Sequence, residues 1–240
     1  MRQRLSYTPL EGIAVGRPVD RIRYITDACA GRCVLDLGAM DETAWQRKRD
    51  GGTWLHEKIA RRAREVNGVD NSSLIPPEGL VTAENAVIRR GDIADLERCL
   101  AALDAAPDVV VAGELIEHLE NPLQFLRQFA AIGKLSGKTL ILSTPNATAL
   151  HNVLVGLARR ESTHQDHVCI FSYKTLATVC QRAGFSSWEI IPYYSRFAEM
   201  RERMPSGPAS LAVRAAQGVI NGLEWLFPLL SFGYIVKVDL

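Results

Sequence analysis

The stretch Asp108-Val-Val-Val-Ala-Gly113-Glu114-Leu-Ile-Glu117-His118-Leu119 decides how this chain is read. Val109 to Val111 are consecutive and β-branched, as in a strand buried on both faces of a parallel sheet, and Gly113 breaks the run. Ligands of open α/β sheets bind beyond the carboxyl ends of the strands. If the chain turns helically from Glu114, positions 114, 117 and 118 are spaced i, i+3 and i+4 and share one face. Two carboxylates and an imidazole would then converge on the mouth of a cleft. The same residues also suit a helix-start carboxylate beside a packed histidine, so their neighbours must decide.

Those neighbours repeat the pattern. Arg32-Cys-Val-Leu-Asp36-Leu-Gly38 reads as a buried strand ending in a glycine turn. Asn67-Gly-Val-Asp70-Asn71 closes a second strand with an acid, Ala86 to Asp92 a third, and Lys138 to Asn146 is a strand stopped by Pro145. Apolar residues at intervals of three and four predict helices over Trp54 to Val66, Ile93 to Leu103 and Pro122 to Ile132. Strands alternating with helices imply right-handed βαβ units, hence a Rossmann-like, doubly wound α/β fold. Its sheet is expected to be mostly parallel, with helices on both faces and an antiparallel last strand at Gly233 to Leu240.

In this order, the motifs resemble the class I S-adenosylmethionine-dependent methyltransferases over roughly residues 20 to 195. Val34-Leu-Asp36-Leu-Gly38 is similar to the first motif of that family, Asp70 to its ribose-binding acid, Asp92 to the residue beside the adenine, and Glu114 to His118 to the strand-four motif. Ser143-Thr-Pro-Asn146 is similar to the strand-five ending of the ubiquinone-type O-methyltransferases. The resemblance implies S-adenosylmethionine as cofactor, with contacts from Asp36, Gly38, Ala39, Met40 and His56 around the first loop. It implies further contacts from Asp70 with Asn71, Asp92 with Ile93, and Glu114. Physical chemistry supports the strand-end acids: a carboxylate has only acceptors and can take two hydrogen bonds from a ribose diol. Each also has a plainer reading. Asp70 could simply form a turn before Asn71, Asp92 could cap a helix starting at Ile93, and His56 could be a surface histidine.

The first loop departs from the family pattern, since Gly38 is followed by Ala39, Met40, Asp41 and Glu42 rather than by further glycines. That poverty also argues against a dinucleotide fingerprint, which needs Gly-x-Gly-x-x-Gly and an acid about 20 residues on.

Glu114-x-x-Glu117-His118 with the later His167 of His164-Gln-Asp166-His167 resembles a divalent-metal site. Two branches have it: ubiquinone-biosynthesis catechol O-methyltransferases and small-RNA terminal ribose methyltransferases. The resemblance implies Glu114, Glu117, His118 and His167 as ligands of magnesium or a similar ion. Without metal, His118 or His167 would be the catalytic general base, worth about 10²–10⁴-fold. The expected activity is methylation of a hydroxyl on a small acceptor such as a sugar or phenolic natural product. The alternatives are an RNA ribose methyltransferase, a metal-free enzyme with a histidine base, and a non-catalytic cofactor-binding scaffold.

Composition bounds the rest. With 240 residues, 47% of them hydrophobic, the chain is expected to be a single domain. Its parts are an N-terminal segment over 1–25 covering the site, a cofactor-binding core over 26–195 and a helical insertion over 196–232. A formal net charge of +1 gives no general reason to expect nucleic acid, despite Arg47-Lys48-Arg49, Arg61-Arg62 and Arg89-Arg90. Five cysteines without close-paired spacing suggest reduced thiols in a cytoplasm. Pro9, Glu11 and Arg17 interrupt any signal-like apolar run after the basic start Met1-Arg-Gln-Arg4. Leu223-Glu-Trp-Leu-Phe-Pro-Leu-Leu230 is strongly apolar but broken by Glu224 and Pro228, so no membrane span is expected. It is expected instead to face the core or form a homodimer; membrane attachment and a roof over the acceptor site are the alternatives.

Overall fold

A computed structural model describes residues 5–41, 44–196 and 206–240. Met1 to Arg4, Glu42 and the 197–205 portion of the expected insertion lie outside the described residues.

Eight strands form one sheet: β1 (Cys33–Leu37), β2 (Glu65–Asp70), β3 (Leu80–Ala83), β4 (Ala86–Arg90), β5 (Val109–Gly113), β6 (Thr139–Pro145), β7 (Ser187–Tyr193) and β8 (Gly233–Asp239). Their spatial order is β3-β4-β2-β1-β5-β6-β8-β7. The pairs β4/β2, β2/β1, β1/β5 and β5/β6 are parallel, and β8 lies antiparallel to both β6 and β7, as the sequence predicts for the last strand. The antiparallel edge strand β3, which pairs with β4, is an addition to the expected set.

The β-branched run of β5 explains why the sheet has a core on each face. Val110 and Ala112 join Leu35, Leu37, Leu140 and Leu142 on one side. That side is covered by α4 (Leu96–Ala101), α5 (Pro122–Ala131) and α7 (Tyr173–Ala183). Val109 and Val111 join Val34, Val66 and Ile141 on the other, covered by α1 (Arg21–Ala28) and α3 (Leu55–Ala60) through Ile25 and Ile59. Burying successive side chains on opposite faces is what a continuous apolar strand does in a doubly wound sheet. The strand order reverses between β1 and β5, which places the ligand-binding crevice beyond Leu37 and Gly113.

Three boundaries differ from expectation. The helix predicted over Trp54 to Val66 stops at Ala60, because Glu65 and Val66 pair with Cys33 and Val34 in the sheet. The helix predicted from Ile93 starts at Leu96; its N-cap is Asp95, whose side chain accepts from the Arg98 N–H, so Asp92 is not the cap. After β5 the chain does not turn helically at Glu114. That residue has a φ of +54°, and only Ile116–His118 form a short 3-10 turn.

The N-terminal segment runs against α7, where Glu11 pairs with Lys174 at 2.8 Å and Tyr7 shares a hydrogen bond with Thr178. Also described are α2 (Trp45–Asp50), α6 (Leu150–Leu157) and α8 (Pro208–Leu226). The expectation that the apolar run of α8 faces the core does not hold. Leu211, Val219, Leu223, Trp225, Leu226 and Phe227 are exposed, while the polar Glu224 is buried and accepts from the Ser195 hydroxyl and N–H. No helix among the described residues is long and apolar enough to cross a membrane.

Candidate active site at the carboxyl edge of the sheet

At the end of β1, Gly38 adopts a φ of +71°, a region where a side chain is disfavoured. Its N–H donates to Val69 O, which turns the following loop onto the end of β2. There the Met40 N–H donates to Asp70 Oδ2 and the Ser72 N–H to Asp70 Oδ1, each at 2.9 Å. A carboxylate has about four lone-pair sites, so Asp70, half-buried at the strand end, keeps acceptor capacity after both contacts. Asn71 beside it is exposed. Ala39 and Met40 are buried, and the Trp54 indole N–H donates to Ala39 O. Asp92 is exposed and folds back on its own loop, accepting from the Ala94 N–H, while Ile93 packs against the core.

Two expected cofactor residues sit elsewhere. Asp36 is 3% exposed and His56 1% exposed, so neither is at the surface. His56 Nδ1 lies 2.9 Å from Asp36 Oδ2 and its Nε2 lies 2.9 Å from Thr82 Oγ1. With both nitrogens engaged, the imidazole has none left for a cofactor carboxylate. It gives the buried Asp36 side chain a hydrogen-bond partner instead, because an unpartnered buried carboxyl group would be costly there.

The end of β5 divides its acids. The Glu114 N–H donates to Ser143 O, and Glu114 Oε1 accepts from the Tyr193 hydroxyl at 2.9 Å with Arg21 Nη1 at 3.7 Å. Arg21 also donates to Ser143 Oγ. Glu117, one turn later, is fully buried and neither carboxylate oxygen has a hydrogen-bond partner. Burial, reinforced by the Glu114 charge, pushes its pKa up to about 8.

The segment that carries His167 is pinned to this turn by backbone bonds. Val168 and Cys169 N–H groups both donate to Glu117 O, and His118 Nδ1 lies 3.2 Å from Asp166 O. A carbonyl can only accept, so that contact places the proton on Nδ1 and leaves Nε2 with its lone pair. The ligand atoms of Glu117, His118 and His167 consequently lie within 4.8 Å of one another. The rings of His118 and His167 meet edge to face with centroids 4.6 Å apart. His167 Nδ1 is buried without a partner, and burial, with the neighbouring His118 and His164 charges, lowers its pKa. An orphaned buried carboxylate between two imidazoles is a donor set that fits a divalent cation, with coordination positions left open.

The expected fourth ligand, Glu114, is not among the three residues brought together: its positive φ takes it out of the helical register, and its Oε1 faces Tyr193 and Arg21. Arg21 and Tyr193 were missed from sequence. They come from the first turn of α1 and the end of β7, and no local spacing links either to the β5 motif.

A family profile described as a methyltransferase domain matches residues 19–190. The chain belongs to the class I S-adenosylmethionine-dependent methyltransferases. Among curated relatives, it is 34% identical over 110 residues to a ubiquinone biosynthesis O-methyltransferase of Ruegeria pomeroyi, covering 45% of this chain and 44% of that one. It is 29% identical over 179 residues to the Azoarcus sp. protein of the same name, covering 68% and 69%. The first match thus spans less than half the length of the relative. A methyltransferase from Archaeoglobus fulgidus shares the fold with a TM-score of 0.52 at 17% identity, over 92% of this chain and 91% of that one. The Glu117 cluster lies just beyond the end of β5, beside the point where the strand order reverses between β1 and β5.

Proposed function

We propose that this methyltransferase transfers the methyl group of S-adenosylmethionine to a hydroxyl of a small acceptor, a sugar or phenolic natural product. In this reading a divalent cation held by Glu117, His118 and His167 assists the transfer. The observation that carries it is the buried, unpartnered Glu117 carboxylate set against two imidazoles at the carboxyl end of β5. The names of the curated relatives support O-methylation.

On the cofactor side, Asp70 offers its remaining lone pairs to the ribose diol, Asp92 its carboxylate to the adenine amine, and Gly38 a backbone without a side chain. Glu114, its Oε1 anchored by Tyr193 and Arg21, follows β5 directly and is held in one orientation there. A bound cation would supply Lewis acidity, which lowers the pKa of water from ~15.7 to about 7 in the strongest cases. The protein contributes orientation, and placing the hydroxyl in line with the methyl group is worth roughly 7–11 kcal/mol. His167, whose charged form is disfavoured first by burial, can ligate metal or accept the hydroxyl proton.

Charge supports the small-molecule choice over RNA. Arg61 pairs with Glu57, Arg62 with Asp27 and Arg64 with Asp108, so these basic residues are partly neutralised in place. A nucleic-acid groove needs uncompensated phosphate contacts. The test is methyl transfer to a panel of hydroxylated acceptors by Glu117→Gln and His167→Ala. Both should lose activity by at least 100-fold while calorimetry shows the demethylated cofactor still bound. Wild-type activity in either variant contradicts the proposal.

A further inference from the structure

The cluster holds a third imidazole that the three-residue group leaves unused. His164-Gln-Asp166-His167 is a closed turn, with the His167 N–H donating to His164 O at 3.1 Å. Such a turn brings its first and fourth residues within about 7 Å, so both rings rise from one loop. The His164 ring centroid is 5.7 Å from that of His167 and 6.2 Å from that of His118. An imidazole bound at about 2.0–2.1 Å has its centroid about 3.2 Å from the ion, so two rings on one ion are about 5.2 Å apart at a tetrahedral angle and at most about 6.4 Å apart when opposite. The 4.6 Å between His118 and His167 fits as it stands, and rotation of the His164 side chain shortens its two separations into the same range. His164 Nδ1 contacts Asp166 at 3.4 and 3.5 Å, and its side chain is 52% exposed, so the ring has room to turn inward.

Among the described residues three ligand residues come together, and Glu114 is not one of them, its Oε1 being turned to Tyr193 and Arg21. We propose that His164 is the fourth protein ligand, making a centre of three imidazoles and Glu117. This rests on the metal reading above and changes its chemistry. Magnesium prefers an all-oxygen shell and keeps its waters, whereas imidazole-rich sets favour transition ions such as cobalt, iron or zinc. The centre therefore selects a transition metal over magnesium.

Cobalt(II) titration of the metal-free full chain, followed by visible absorption and calorimetry, tests this without an activity readout. Wild type should bind one Co²⁺ per chain and retain it in a large excess of Mg²⁺. His164→Ala should weaken Co²⁺ binding at least tenfold and change the ligand-field spectrum, while Glu114→Gln leaves Co²⁺ affinity within about twofold. Because His164 is exposed, its variant should melt like wild type, which separates ligation from folding. Unchanged affinity and spectrum in His164→Ala, with binding lost in Glu117→Gln and His167→Ala, overturns the fourth ligand and leaves the three-residue site intact. A wild type that binds no Co²⁺ overturns this proposal, and if it binds no divalent ion at all the metal reading falls as well. Binding that depends on His164 but survives Glu117→Gln marks a surface histidine pair and overturns it too.

Discussion

Tyr193 donates a hydrogen bond to Glu114 Oε1 across 2.9 Å, and this contact separates two glutamates that the sequence places in one motif. Glu114, at a φ of +54° and beside Arg21, is a paired acid at the end of the strand. Glu117, three residues on, is buried with no hydrogen-bond partner. One acid is anchored through its Oε1 by the fold, and the other has no hydrogen-bond partner among the described residues.

Removing the Tyr193 hydroxyl should show what the pairing contributes. Tyr193 is buried and Glu114 only partly exposed, so Tyr193→Phe should cost about 1.5 kcal/mol, the lower end for a hydrogen bond to a charged group. Urea unfolding would show a lower midpoint with an unchanged slope. An unshifted midpoint would mean that the contact contributes nothing to stability.

The Asp36–His56 pair makes a second prediction. Removing one partner of a buried pair leaves the other uncompensated and typically costs roughly 3–5 kcal/mol. His56→Ala should therefore be strongly destabilised in denaturant melts, yet bind the demethylated cofactor with near wild-type affinity wherever it is folded. Normal stability with lost cofactor affinity would return His56 to the cofactor site.

Glu117 predicts a pH dependence of the metal-free protein. Its folded pKa of about 8 is raised above the ordinary value of 4.5. Below pH 4.5 both states hold the proton and burial imposes no charge penalty. Between about 4.5 and 8 the unfolded chain ionises while the folded one stays protonated, so stability falls as pH rises and levels off above about 8. Glu117→Gln should therefore raise the thermal midpoint of the metal-free protein at pH 8.5, by an amount of order a few kcal/mol in stability, and have little effect at pH 4. An equal effect at both pH values would show that Glu117 does not titrate as a buried acid.

Asp70 links the first loop to the second strand and should carry cofactor affinity. Asp70→Ala should weaken binding of the demethylated cofactor by at least tenfold, about 1.4 kcal/mol, as measured by calorimetry. Unchanged affinity would reduce Asp70 to its bonds with Met40 and Ser72.

The parallel core was legible because β1, β2, β4, β5 and β6 are apolar runs closed by Gly, Asp or Pro. The last strand, β8, was also placed within a residue or two. The edge strand β3 was not, since four residues with Val81 exposed carry no burial pattern. Asp70, Asp92, Glu117 and His118 lie at strand ends or in the turns that follow them, where their sequence context put them, while His167 comes from a loop bonded to the Glu117 turn. Spacing alone put Glu114 with Glu117, because a count of i, i+3 assumes a helix and cannot see a positive φ. Burial of His56 between Asp36 and Thr82 depends on how α3 packs on β1 and β3, a long-range fact with no local signature. The outward apolar face of α8 was unreadable for a related reason: periodicity shows that a helix has an apolar side, not which way that side faces.

The most direct test of the account is methyl transfer in the presence of a strong chelator, with cofactor binding followed in parallel by calorimetry. In the proposed function the Glu117, His118 and His167 cluster serves the acceptor, so activity should vanish on chelation and return on adding a divalent transition metal, while cofactor affinity is unchanged. Undiminished activity in excess chelator, with only the histidine variants failing, would contradict the account and leave a metal-free mechanism with a histidine base.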